Sequence, residues 1–451
     1  MQRVRLHICW FIVTVLAFGS AGCDGDSAFK VTDIPEPTMI PSQMAEPNAV
    51  SSRQPSEIRL GYTYQRSDGN RYLLRRGNLP KVAPLHTPLG GRPIWLVAAP
   101  AGDASIWVAV LEDGSVQAFS IADDQVQDHP ITPGKLQPGM PPLLMLTDGG
   151  ATMVSSLDAN SSNLTSPVLL QPSGSMAYIR SNGDLVVRIG GRSTVLPLNA
   201  LPDARLLTDE DERLLLLTGA TGNYSHGVLG DRIEAQSVTM VSTKPGVQVI
   251  WTAPLPDGDV VEGISPIWTD LDGDGTREIL ITVSNSRVGA RLVVLNDAGD
   301  PVAFGPAVGC GSRWRHQLAA APFGTSSELE VVDVVTPHIG GTVEFYRLEE
   351  DSLRVVASVP GFSTHAIGSR NLNMAVAGDF DGDGRIELLV PNQAMDEIGG
   401  IRRTEEGAEV GWTLPIDGKV STNLAAVSSD SGGLTLGVGR DDGVLLVWPA
   451  P

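Results

Sequence analysis

Residues 311–323 read GSRWRHQLAAAPF and residues 368–380 read GSRNLNMAVAGDF. The offset of 57 residues keeps Glu330 in register with Glu387, and an Ile-Gly-Gly recurs at Ile339-Gly340-Gly341 and Ile398-Gly399-Gly400. A period of this length marks an array of equivalent structural units. Weaker copies of the same opening, a small-apolar strand, an acidic or glycine turn and a second apolar strand, begin near Pro93, Leu143, Leu201, Ser265 and Thr422. Seven units spread over residues 57–451 give about 56 residues each, enough for four strands and their loops.

The local pattern is β throughout. No segment after residue 57 holds an apolar period of 3.6, whereas short β-rich runs recur between Gly, Asn and Asp turns. Asp113-Gly114, Asn182-Gly183 and Asp442-Gly443 each lie between two such runs, the strongest short-range signal for an antiparallel hairpin. The expectation is an all-β, seven-bladed β-propeller, six to eight blades being compatible with the spacing. The last unit has only LAAVSS, LTLGVG and VLLVW before the chain ends. Its fourth strand must come from elsewhere, and residues 57–64 (EIRLGYTY) are the candidate that closes the ring.

Composition narrows the function. The 451 residues carry 52 Asp plus Glu against 32 Lys plus Arg, a formal charge of −20, so the chain's own field opposes nucleic acid and no nucleic-acid partner is expected. The 3 cysteines exclude a disulfide scaffold. There is no GxSxG, Walker loop, CxxC or CxxCH, and Cys310, beside Gly311, reads as a small packing residue.

The N-terminus gives an address. Arg3 and Arg5 precede a mostly apolar run from Leu6 to Phe18, then Gly19, Ser20, Ala21 and Gly22 stand before Cys23. The run is short of the about 20 apolar residues a bilayer span needs, so an export signal over residues 1–22 is read in preference to a permanent membrane helix. Small residues directly before a cysteine resemble the lipobox of bacterial lipoproteins, which implies lipidation of Cys23, although Ser20 stands where that family usually has Leu and plain secretion stays open. Asp24 resembles a retention signal for the inner membrane of some Gram-negative bacteria. The implied location is the cell envelope, on the outer face of the cytoplasmic membrane or in the periplasm, with the membrane reached through the lipid. Losing Arg3 and Arg5 takes the formal charge from −20 to −22. Residues 23–56, with Pro35, Pro37, Pro41, Pro47 and Pro55 among polar residues, read as a flexible tether to a propeller over 57–451.

Two nonapeptides carry the clearest chemistry: Asp270-Leu-Asp272-Gly-Asp274-Gly-Thr276-Arg-Glu278 and Asp379-Phe-Asp381-Gly-Asp383-Gly-Arg385-Ile-Glu387. Acids at positions 1, 3, 5 and 9, with Gly at 6 for the sharp turn, form a tight oxygen-rich loop suited to Ca²⁺. The carbonyls of Thr276 and Arg385 at position 7 are natural further ligands. An EF-hand needs an acid at position 12, where Ile281 and Val390 stand, and strand-like runs rather than helices follow. The loops resemble the calcium hairpins of FG-GAP or VCBS repeats, the family of the integrin α propeller. That resemblance implies a structural Ca²⁺ between the first two strands of a blade, in a protein that binds partners by adhesion or polysaccharide recognition or, in some members, catalyses. In the preceding copy the positions of Asp379, Asp381 and Asp383 are Pro322, Gly324 and Ser326, with only Glu330 kept, so that copy is expected to hold no ion.

If the acidic loops lie on one face, Arg313 and Arg370 enter first strands on the other, with His316 and His365 beside them and His338 and Asn392 leaving second strands toward the same side. Three readings stand for this group. It is a set of turns whose arginines brace neighbouring blades, a pocket for an anionic or polar partner (a protein, a polysaccharide or a small molecule), or a catalytic centre with a histidine as base or metal ligand. The chain is therefore expected to be a monomeric, calcium-stabilised binding module of the envelope. The alternative is an envelope hydrolase or lyase with an Arg/His site.

Overall fold

The computed structural model describes residues 58–450 apart from Ser156, Ser225, Ser429 and Ser431, and among them every regular element is a β-strand. The predicted signal segment 1–22, Cys23 and all of the tether over 23–56 lie outside the described residues.

The strands fall into eight units, most of them four-stranded antiparallel meanders. Blade 1 is Pro93–Ala101, Ala104–Leu111, Val116–Ala122 and Gln125–Asp128. Blade 2 has Leu143–Thr147 and Gly150–Met153 at its centre, flanked by Arg59–Tyr62 and Ile131–Thr132. Blade 3 spans residues 168–197, blade 4 residues 207–254, blade 5 residues 267–304, blade 6 residues 315–360 and blade 7 residues 376–415. Blade 8 is Ala425–Ser428, Leu434–Gly439 and Val444–Trp448, completed by Leu85–Pro88. Blades 4, 5 and 6 are stitched together by Val260–Val261 and by a bridge from Phe304 to Ser352.

Burial explains the sequence pattern. Inner strands are covered on both faces by neighbouring blades, so Glu278–Asn285 and Arg315–Ala321 are buried at every position, whereas outer strands such as Ser352–Pro360 keep one face toward water and alternate. Between blades lie separate apolar seams. Leu144, Leu146 and Met153 pack on Val97 and Val108, Phe345 and Val334 pack on Leu388 and Ile401, and Leu436 and Leu446 pack on Leu389 and Ile398. The ring closes where Ala425, Val427 and Leu445 of blade 8 meet Leu96 and Trp107 of blade 1. This is a β-propeller.

The predicted hairpins are in place. At Gly114 the φ angle is 84° and a Cβ would lie 2.3 Å from the Leu136 carbonyl oxygen, so the turn admits only glycine. Two expectations shift. Eight units occupy the space allotted to seven, at the upper end of the expected range, because blade 2 takes only two strands from residues 143–153 and leaves room for blade 3 before residue 201. The closing strand is N-terminal but is Leu85–Pro88, while Arg59–Tyr62 pairs with Leu143–Thr147.

The segment between them fills the centre of the ring. Tyr64 Oη donates to Leu206 O (3.2 Å), Gln65 Nε2 to Leu424 O (3.0 Å) and Asn70 Nδ2 to Ala320 O (2.8 Å), while Ser67 O and Asp68 O accept Thr208 N and Trp268 N (2.9 Å each). Arg71 reaches Leu318 O (2.8 Å) and Asn373 Oδ1 (2.9 Å). Tyr72–Arg76 then runs parallel to Val376–Asp379 of blade 7.

Candidate functional site

Both acidic loops join the first and second strands of their blades, 5 and 7, as the spacing predicts. In blade 5, Asp270, Asp272 and Asp274 bring one oxygen each within 4.8 Å of one another; in blade 7, Asp379, Asp381, Asp383 and Glu387 do the same. Backbone N–H groups shape the cups. Gly275 N donates to Asp270 Oδ2 (3.0 Å) and Thr276 N to Asp274 Oδ1 (2.6 Å), and Gly384 N donates to Asp379 Oδ2 (3.1 Å) and Arg385 N to Asp383 Oδ1 (2.9 Å). Glu278 stands outside the blade 5 group, its Oε2 accepting Leu271 N at 2.7 Å. The Arg385 side chain folds onto Asp383 Oδ2 at 2.6 Å.

Blade 7 is the more informative loop. Asp379 and Glu387 are buried, and Asp379 Oδ1 and Glu387 Oε1 have no hydrogen-bond partner among the described residues. Burial first, and then the neighbouring Asp381, pushes the Glu387 carboxyl up to about 8. Blade 6 supplies an internal control. Its equivalent carboxylate, Glu330, is equally buried but receives Arg347 on one oxygen and Arg403 on the other, each at 2.8 Å. Where the loop acids are missing, two guanidiniums supply the positive charge; where the acids are present, Arg76 Nε comes within 3.3 Å of Asp379 Oδ2, but no guanidinium among the described residues pairs with Glu387.

On the opposite, mouth face the predicted histidines come together around buried Trp314. His316 stacks on it (centroids 4.9 Å apart, 11° between planes), His338 lies 6.1 Å away and His365 meets it edge-on at 5.3 Å. His316 Nδ1 pairs with Thr364 Oγ1 at 2.7 Å. Because a carbonyl only accepts, His365 Nε2–H donates to Ser369 O (2.5 Å), which leaves His365 Nδ1 to accept His338 Nε2–H at 2.6 Å. Burial holds His316 well below its usual range and His365 down at about 4, so these imidazoles are neutral at neutral pH. Sequence reasoning missed a fourth histidine: His226 Nδ1 pairs with Glu262, whose backbone carbonyl accepts Trp314 Nε1 at 3.0 Å. His226 sits in a long connection without a repeat signal, and nothing local marks it.

The other predicted residues separate. Arg370 is held by Asp203 (2.9 Å) and Asp231 (2.6 Å), the bracing arrangement, whereas Arg313 is exposed. Asn392 gives its amide to Asp396 at 2.8 Å and takes no part in the histidine group. Cys310 is exposed rather than packed.

No family model matches the chain, and no curated protein matches it. Among solved structures it is similar to a europium-containing methanol dehydrogenase, at 9% identity and a TM-score of 0.52 over 84% of this chain and 89% of that one. A chain of a mitotic checkpoint complex aligns over 84% of this chain and 98% of its own at 10% identity, with a TM-score of 0.42. At 9% identity the likeness to the dehydrogenase speaks to the fold alone.

Proposed function

We propose that this chain is a calcium-stabilised propeller, similar to FG-GAP or VCBS repeat proteins, that works as a binding module in the bacterial cell envelope, exported by residues 1–22 and anchored through lipid on Cys23. The observation that carries the calcium reading is the contrast between Glu330, with an arginine on each oxygen, and Glu387, whose buried Oε1 has no hydrogen-bond partner among the described residues. A hard cation bound by Asp379, Asp381, Asp383 and Glu387 would supply the missing positive charge, and its role there is structural: to hold the first two strands of the blade together. The blade 5 loop offers Asp270, Asp272 and Asp274, and the carbonyls of Thr276 and Arg385, at position 7 of their loops, would be further ligands.

The alternative of an envelope hydrolase or lyase draws on the histidines, and finds less support. His316, His338 and His365 already bond to Thr364, Ser369 and one another, and the only groups of three or more acidic, His or Cys ligands close enough for one ion among the described residues are the two aspartate loops.

The experiment is metal analysis of the purified chain with melts in calcium and in chelator, alongside membrane fractionation of the native chain and Cys23→Ala in a bacterial host. Two bound calcium ions, a lower melting temperature in chelator and release of the variant from the membrane are expected. An unchanged melt would remove the calcium reading, and membrane retention of the variant the anchor.

A further inference from the structure

Neither calcium nor the anchor accounts for the histidines at the mouth, and their hydrogen bonds limit the protons they can carry. Ser369 O fixes His365 Nε2 as a donor, so His365 Nδ1 accepts His338 Nε2–H at 2.6 Å. One added proton puts a hydrogen on His365 Nδ1, and the bond then survives only if His338 carries its own hydrogen on Nδ1 instead. A second proton leaves N–H facing N–H, two like charges on rings whose centroids are 4.9 Å apart. His316, 3% exposed and stacked on Trp314, would add a third.

The charged groups around these rings do not offset that gain. No carboxylate among the described residues pairs with His316, His338 or His365. Glu262, whose carbonyl accepts Trp314 Nε1, has its carboxylate on His226 and Ser284. Asp203 and Asp231 are taken by Arg370, Asp333 and Glu344 by Arg315, and Arg313 beside Trp314 is exposed. Arg71 of the central segment repels a charge on His316, and His226 repels one on His338.

Three elements meet at this group. His338 leaves the second strand of blade 6, in a loop where Thr336 N donates to Trp314 O at 2.8 Å. His365 lies in the entry loop of blade 7, whose tip, Ala366 to Gly368, is exposed. That loop carries the long connection of blade 4: Gly368 N donates to Val228 O at 2.8 Å, Arg370 holds Asp231, and Val228 and Leu229 join Ile264, Trp314 and Leu372 in a small apolar cluster of their own. An exposed loop with so few ties opens at lower cost than the apolar seams between blades.

We propose that the mouth carries an acid-released latch: His338 and His365 hold the entry loop of blade 7 against blade 6 while both rings are neutral, and protonation of the histidine group frees residues 364–370, with the blade 4 connection they carry, from an intact ring. The sign follows from burial, which lowers His316, His338 and His365 from the ordinary 6.5, His365 to about 4. The folded chain therefore binds fewer protons than the open one. The stability that the neutral rings contribute is complete above pH 6.5 and is lost as pH falls toward 4.

The test follows tryptophan emission of the full chain from neutral pH to about pH 4, in excess calcium and again in chelator, with hydrogen exchange of residues 336–341 and 364–370 and far-ultraviolet circular dichroism alongside. A charged imidazole beside Trp314 quenches it, so a reversible fall in emission, absent from Trp314→Phe, is expected. Exchange in the two loops should rise by at least about tenfold while the circular dichroism stays unchanged. The transition should take up about two protons or more. His338→Gln keeps a donor for His365 Nδ1 but cannot be charged, and should move the midpoint to lower pH by at least about half a unit. A pair that only packs would give the variant an unchanged or higher midpoint, which overturns the proposal. So would uptake of a single proton, loss of circular dichroism together with the emission, or a midpoint that moves with calcium and so belongs to the acidic loops. If His338→Gln does not fold, the proton uptake and loop exchange of the wild type decide.

Discussion

Glu387→Gln isolates the ion from the rest of blade 7. With no cation bound, burial holds the Glu387 carboxyl up at about 8, so at pH 7 it carries a proton and glutamine reproduces both its shape and its neutrality. The amide oxygen can still accept Phe380 N, now 2.8 Å from Glu387 Oε2. The ion-free variant should therefore melt within about 1 °C of the ion-free wild type. With calcium the two must part. An ion at a hundred times its dissociation constant contributes about 2.7 kcal/mol per site. For a domain of roughly 390 residues the unfolding entropy is about 0.8 kcal/mol/K, so one occupied site raises the melting temperature by about 3 °C and two by about 7 °C, if the ring melts as one unit. Wild type should gain the larger shift, and Glu387→Gln, with blade 5 alone loaded, about half of it, read by circular dichroism with calorimetric stoichiometry falling from two ions to one. A variant that gains as much from calcium as the wild type refutes the assignment of Glu387 as a ligand. So does an ion-free variant that melts several degrees lower, because the carboxylate would then have been held by protein contacts.

Three further outcomes follow from the packing. Arg403→Met leaves buried Glu330 with Arg347 alone, and should cost about 3 kcal/mol in urea unfolding, with Glu330→Gln in the same chain recovering part of it. Gly437→Ala places a Cβ 2.2 Å from Trp107 Cζ3 at the seam where blade 8 meets blade 1, and should cost about 1–3 kcal/mol; a neutral result would mean that the ring does not close there. Burial, with Glu262 next in effect, pushes Glu234 up to about 9, against an ordinary value of 4.5, so the folded chain holds a proton that the unfolded chain releases. The stability this contributes is complete below pH 4.5 and is lost as pH rises toward 9, at up to about 1.4 kcal/mol per pH unit. Glu234→Gln should flatten that slope and be the more stable chain at pH 9, as measured by urea melts across pH 5–9.

Much of the architecture was legible because it is written locally and repeated. The 57-residue echo, the Asx-Gly hairpins and the carboxylates at positions 1, 3, 5 and 9 each constrain backbone within a few residues of themselves, and strand alternation then carried His316, His338 and His365 to one side. The same register placed Arg313 and Arg370 there but could not tell a braced guanidinium from an open one, since Asp203 and Asp231 come from another blade. Arg205, directly before the first strand of blade 4 as Arg370 is before blade 7, had a visible position. That its enclosed Nε and Nη2 meet no partner among the described residues is something no spacing records.

The plug was not legible, and the reason lies in the ring. Each first strand presents one edge of unpaired N–H and C=O groups to the axis, and such edges must be paired, covered or solvated. Here Arg59–Tyr62 pairs the inner edge of blade 2, Tyr72–Arg76 pairs that of blade 7, and the turn between them answers single backbone groups of blades 4, 5, 6 and 8. A segment that meets several different neighbours over so few residues has no period of its own, so Tyr64, Gln65, Asn70 and Arg71 look in sequence like an ordinary polar loop. The same strand ends against the acidic loop, where Gly77 N donates to Asp379 O at 2.7 Å and Leu79 N to Phe380 O at 2.8 Å. The plug is thus held at one end by the loop that Glu387 closes, and further back the Arg71 side chain fastens it to Leu318 O, Gln317 O and Asn373 Oδ1. Loosening the loop in blade 7 removes an anchor of the segment that pairs the inner edges of the ring.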